Sequence, residues 1–140
     1  MTDPDLTPQQ EAALRAVMNR IVPGDDFPNA WDAGVGAYVT RQLAGDLAGQ
    51  VADMAAGLDS LDAEAQAGGA AGFAALDPNQ QDALLTRLER AQVSTVWPVD
   101  PSAFFDQLIL LTIEGFYADP GNGGNRDAVS WRMIGFTGQP

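Results

Sequence analysis

Glu114, Tyr117 and Asp119 are the residues best placed to do chemistry, because two carboxyls and a phenol follow one another at the end of the chain's most apolar segment. A carboxyl beside an apolar helix face can have its pKa raised and act as a general acid. The same carboxyl can serve structure instead. Glu114 lies one turn before a Gly-rich loop, where it could accept loop N–H groups or pair with Arg126 or Arg132; buried charges persist mainly when paired. The loop, Asp119-Pro120-Gly121-Asn122-Gly123-Gly124-Asn125, invites two ligand readings and satisfies neither. A dinucleotide fingerprint needs G-x-G-x-x-G after a strand and before a helix, whereas this run follows a helix and lacks the third glycine. A calcium loop starting at Asp119 would put Gly121 and Gly123 where side-chain oxygens are needed, and Ser130 where the bidentate Glu belongs. A tight turn in which Asn122 and Asn125 bond local backbone accounts for the same residues. Asp25-Asp26, after Pro23-Gly24, could bind a cation but reads more simply as a solvated turn or a helix cap.

The residue types that are missing narrow the chemistry further. In 140 residues there is no Lys, His or Cys, and the formal charge is −12. Thiolate and Ser–His nucleophiles, disulfides, iron–sulfur ligation and haem attachment are excluded, and zinc sites normally draw on the same residues. Schiff-base and Walker-type lysine chemistry is excluded too. The acidic balance, without any basic cluster, opposes nucleic acid and anionic membrane as partners. The longest strongly apolar uncharged run, Gln107 to Ile113, is far short of the ~20 residues that span a bilayer. No secretory segment is visible at the acidic start, so the chain as given is expected to be soluble and cytoplasmic, or periplasmic if an export signal was trimmed.

These residues must be positioned by helices, since no stretch alternates with period two over a strand's length. The expectation is an all-α single domain over residues 1–140, with 1–6 flexible, five main helices and no internal repeat. A chain of this length can bury roughly 70% of its unfolded surface. Thr7-Pro8-Gln9-Gln10 and Asp77-Pro78-Asn79-Gln80 carry an N-cap, Pro at the first helical position and Gln at the third, the capping-box pattern. Asp100-Pro101 repeats the cap and the proline. The helices predicted are Pro8 to about Val22, Trp31 to Ala44, Asp46 to Ala67, Pro78 to Gln92 and Pro101 to Tyr117, with a short helical turn near Asp127–Met133. Gly34 and Gly36 weaken the second helix but permit close packing. The acidic stretch Asp53–Glu64 reads as an exposed helix face. The fifth helix is apolar almost all round, so it should be central and buried on most faces. Trp97 and Trp131, both near loops, suit core or partner interface equally well. Pro120 turns the chain away after Tyr117, and the glycines that follow would present Asn122, Asn125 and Trp131 together. Trp131 beside Phe136 and Tyr117 would make an apolar patch of the kind an interface covers.

The C-terminal block, Thr112-Ile113-Glu114-Gly115-Phe116-Tyr117-Ala118-Asp119-Pro120, then Gly123-Gly124-Asn125, Trp131 and Ile134-Gly135-Phe136, resembles the signature of the gluconate 2-dehydrogenase subunit 3 family. Upstream, Ile21-Val22-Pro23-Gly24-Asp25 with Pro28, Asp32-Ala33-Gly34-Val35, Gly57-Leu58-Asp59 and Phe73-x-x-Leu76 fall in register with it, so the resemblance covers about residues 8–137. Asn122 and Ser130 stand where the family commonly has Tyr and Gly.

The resemblance implies a non-catalytic small subunit. In such systems FAD and the catalytic residues belong to a large subunit of the glucose–methanol–choline oxidoreductase type, which acts on a sugar such as gluconate, glucose or a glucoside. The small subunit binds that subunit and supports its folding and flavin loading; a cytochrome subunit is often a third partner. No cofactor, metal ligand or catalytic residue is then expected in this chain. Glu114, Tyr117, Asp119, Pro120, Asn122, Gly123, Gly124, Asn125, Trp131 and Phe136 are the implied motif and partner-interface residues. The competing reading is a stand-alone acidic helical module, or a small enzyme using Glu114, Tyr117 and Asp119.

Overall fold

The computed structural model describes residues 6–22, 31, 34–45 and 48–117. Among them the fold is all-α: α1 (Pro8–Ile21), α2 (Val35–Ala44), α3 (Val51–Ala67), α4 (Pro78–Glu89) and α5 (Pro101–Tyr117), with single 3-10 turns at Ala48–Gln50 and Phe73–Ala75. The predicted turn at 127–133 lies outside the described residues, as does residue 119 onward of the Gly-rich loop.

Both capping boxes form as their sequences dictate. Thr7 Oγ1 accepts the Gln10 N–H at 3.1 Å while Gln10 Oε1 accepts the Thr7 N–H at 2.9 Å. Asp77 and Gln80 make the same exchange at 2.8 and 3.1 Å. Each box satisfies two backbone donors that a helix start would otherwise leave open.

Three helix boundaries differ from the periodicity, each for a local reason. α2 begins at Val35 because Gly34 takes a left-handed φ of 98° at its N-cap, closing a turn with Gly34 N–H donating to Trp31 O at 3.0 Å. Trp31 thus sits in the preceding turn, and its ring packs against Gly36, where an added Cβ would lie 2.8 Å from ring carbons. The third helix starts at Val51, because the poor helix formers Gly45 and Gly49 leave only the 3-10 turn at Ala48–Gln50 ahead of it. α4 stops at Glu89. Ala91 adopts φ 55°, and the Gln92 and Ala91 N–H groups donate to Arg87 O (2.8 Å) and Leu88 O (2.9 Å), a Schellman closure with alanine where glycine is usual.

α5 packs against all four other helices and is the axis of the domain. Its Phe104, Phe105, Leu108, Leu111 and Phe116 are buried, joined by Leu14, Val17 and Met18 of α1, Met54, Leu58 and Leu61 of α3, Leu84, Leu85 and Leu88 of α4, and Phe73. Gly57 of α3 faces the Phe104 ring so closely that a Cβ there would overlap it. The central position and burial on most faces are as expected, but one face is left out of the core. Ala103, Asp106, Leu110, Ile113 and Glu114 are exposed, Leu110 by 58% and Ile113 by 40%. At about 100° per residue these positions share roughly a third of the helix circumference, so one long face of α5 stays open to solvent.

Candidate functional site

Three buried polar side chains among the described residues, Asp62, Glu64 and Gln81, bond to the segments that connect the helices. α3 carries Asp59, Asp62 and Glu64 one turn or less apart, and none is simply a solvated charge. Asp59 Oδ1 accepts from Gln10 Nε2 at 3.0 Å. Asp62, buried, accepts the Phe73 N–H at 2.8 Å on one oxygen and Gln9 Nε2 at 3.1 Å on the other, tying α1 and the Phe73–Ala75 turn to α3. Gln81 completes that corner by donating to Phe73 O at 3.1 Å. The expectation of an exposed acidic face over Asp53–Glu64 is therefore corrected: Asp53 and Asp59 are exposed, whereas Asp62 and Glu64 are buried. The phase of the helix explains it, since Asp62 lies about one turn from the buried Leu58 and Glu64 about one turn from the buried Leu61.

Glu64 organises the connection between α4 and α5. Its side chain is fully enclosed, and its carboxylate accepts the Ser94 N–H on both oxygens at 3.0 Å, the Thr95 N–H at 2.7 Å, the Thr95 hydroxyl and the Trp97 indole N–H at 3.2 Å. Burial pushes the carboxyl up, but the bonds from Thr95, Ser94 and Trp97 outweigh burial and hold it below the usual glutamate range. Arg87, at 3.9 Å, stands at the edge of ion-pair range. The indole of Trp97 stacks at a tilt on Phe104, with ring centroids 5.9 Å apart. Trp97 is accordingly half-buried against the core. Val96, between these anchors, is 94% exposed.

Pro98, Val99 and Asp100 then pass into an open hollow shared with Asp53, Ala103, Phe104 and Gln107. The hollow leads onto the open face of α5, with Gln107 Nε2 donating to Gln50 Oε1 beside it. Glu114 is on that open face and makes no hydrogen bond or ion pair among the described residues, so it does not act there as a buried anchor. Tyr117 ends α5. Asp119, Pro120, Asn122, Gly123, Gly124, Asn125, Trp131 and Phe136 lie outside the described residues, and so do Asp25 and Asp26. The side chains that periodicity misplaced are thus the buried Asp62 and Glu64, which hold loops, and the exposed Val96, Leu110 and Ile113.

Among the described residues no group of three or more carboxylates could hold a metal ion, and no helix is long and apolar enough to cross a membrane. Among the described residues the arrangement is a pinned loop beside an exposed, largely apolar helix face. Compared with models of known families, residues 8–138 match the one described as Gluconate 2-dehydrogenase subunit 3. No curated protein and no solved structure matches the chain.

Proposed function

The chain belongs to the gluconate 2-dehydrogenase subunit 3 family, and from that membership we propose that it is the non-catalytic small subunit of an FAD-dependent sugar dehydrogenase. In this reading it binds a large flavoprotein of the glucose–methanol–choline type, which carries the FAD and oxidises gluconate, glucose or a glucoside. The small chain stabilises that subunit and aids its folding and flavin loading. The family match over residues 8–138 is the observation that carries the reading.

Two features of the chain support it. Lys, His and Cys are absent from the sequence, which removes most nucleophiles, proton shuttles and metal ligands. The buried carboxylates Asp62 and Glu64 are already satisfied by backbone and side-chain donors, so they hold loops in place. Glu114, the acid that a stand-alone enzyme would use, stands in solvent without the enclosed, water-poor setting such chemistry favours.

Purification of the chain alone tests the reading: it should show no flavin absorbance and no sugar oxidation with an artificial electron acceptor. Co-expression with the large flavoprotein should raise that subunit's soluble yield and flavin occupancy. Turnover by the isolated chain, or a flavoprotein that folds and loads FAD equally well without it, would overturn the proposal.

A further inference from the structure

We propose that the open face of α5, continued through Pro98 to the pinned Val96 loop, is the surface that docks the flavoprotein subunit, and that it meets an apolar patch bordered by Arg and Lys. This rests on the small-subunit reading above and adds to it the surface and the chemistry of the contact. Three observations carry it. Leu110 and Ile113 are large aliphatic side chains left 58% and 40% exposed on the helix that otherwise forms the core. Val96, 94% exposed, is held on a loop whose neighbours are fixed by four donors to one buried carboxylate. Such a side chain loses little freedom on binding, which is how preformed contacts gain affinity. The hollow lined by Pro98, Asp100, Ala103 and Gln107 joins the loop to the helix face, making one strip.

The charge around the strip selects the partner. Asp100, Asp106 and Glu114 border it, are exposed, and have no ion pair among the described residues. Arg20 pairs with Asp82 on the α1–α4 side, away from this border, and Arg87 stands 3.9 Å from the Glu64 carboxylate that holds the Val96 loop. A second copy of this chain would bring the same acidic border, and a net charge of −12, against itself. A basic-rimmed apolar patch answers both the aliphatic centre and the acidic edge.

The test uses the full chain and the flavoprotein that co-purifies with it, identified by its flavin absorbance. Leu110→Arg and Val96→Arg should each weaken binding at least about thirtyfold, as truncated interface anchors do. Asp106→Arg combined with Glu114→Arg should slow association and flatten its dependence on salt. Ala83→Arg, on the exposed side of α4, should bind as the unchanged chain does. If the unchanged chain binds the flavoprotein and the Leu110 and Val96 variants bind it equally well, the docking surface is wrong while the subunit reading stands. If the unchanged chain binds no flavoprotein, both fall. If Leu110→Arg lowers the melting temperature of the free chain by more than about 5 °C, the face is covered by the chain itself and the proposal fails. A free chain that elutes as a dimer, and as a monomer once Leu110 is changed, overturns it in favour of self-association.

Discussion

Replacing Glu64 should do more damage than replacing any other acidic residue among those described, because one carboxylate closes the whole connection between α4 and α5. Glu64→Ala leaves the Ser94 and Thr95 N–H groups and the Trp97 indole N–H without their acceptor. A buried donor left unpaired costs about 1–3 kcal/mol. Ser94 is exposed and Thr95 half-buried, so water can reach part of the gap and the lower figure applies to each. Three donors at about 1 kcal/mol come to about 3 kcal/mol, or about 10 °C in melting temperature for a domain of this size. Glu64→Gln keeps one oxygen for these donors but removes the charge, and should cost about 2 kcal/mol, since bonds to ionised acceptors are roughly twice as strong as neutral ones. The carboxyl titrates below its ordinary value in the folded chain. Its contribution is therefore complete above the ordinary glutamate value of about 4.3 and is lost as pH falls through the lower folded-state value. The melting-temperature gap between the unchanged chain and Glu64→Gln should be flat from about pH 7 to 5 and close below about pH 4. Taking the difference between the two proteins cancels the response of the other carboxylates to acid. Thermal melts read by circular dichroism, with amide exchange at Ser94 and Thr95, measure both effects. Shifts under about 2 °C for Glu64→Ala, with those two amides exchanging as slowly as before, would refute the reasoning.

Ala91→Gly should raise stability by about 1 kcal/mol, because a left-handed φ costs an L-residue roughly that much and glycine nothing; a denaturant midpoint that does not rise counts against it. Gly57→Ala should destabilise by about 1–3 kcal/mol through overlap with the Phe104 ring, read as a lower melting temperature. Asp82→Asn breaks a two-pronged contact from Arg20, whose Nε and Nη2 each lie 2.8 Å from a carboxylate oxygen. It should cost about 1 kcal/mol or less, because the Asp82 side chain is 49% exposed and that of Arg20 23%, and the loss should shrink further at high salt. Trp131→Ala should weaken the complex with the flavoprotein while leaving the free chain helical; a collapse of the melt would place Trp131 in the core instead.

Pattern made the helices readable, and the starts of α1, α4 and α5 with them, whereas α2 and α3 begin later than periodicity places them; phase could have revealed more than composition did. The capping boxes at Thr7 and Asp77 have a local signature, since both partners lie within four residues, and they form as read. The α3 carboxylates lacked one. Their charge argued for solvent while their position, one turn from Leu58 and Leu61, argued for burial, and position prevailed because backbone donors were available to satisfy them. Those donors sit at Phe73, Ser94 and Thr95, on irregular segments with no periodicity to announce them. Likewise the end of α4 was set by a closure through Ala91, a residue whose type gives no sign of a left-handed turn.

The open face of α5 escaped for a different reason. Periodicity separates inward from outward positions only when the two differ in polarity, and along α5 they do not: Leu108 and Leu111 are buried while Leu110, between them, is exposed. A helix apolar on every side is ordinarily surrounded by its own domain. Here four helices and a loop cover about two thirds of its circumference, on the roughly 100° spacing of successive residues. That leaves an apolar remainder bordered by acids that the other described helices do not cover. In a family of subunits, the same all-round apolarity follows if the helix is buried twice, once by its own fold and once by its partner. Sequence alone cannot divide the two burials, because the side chains that serve them are identical in kind.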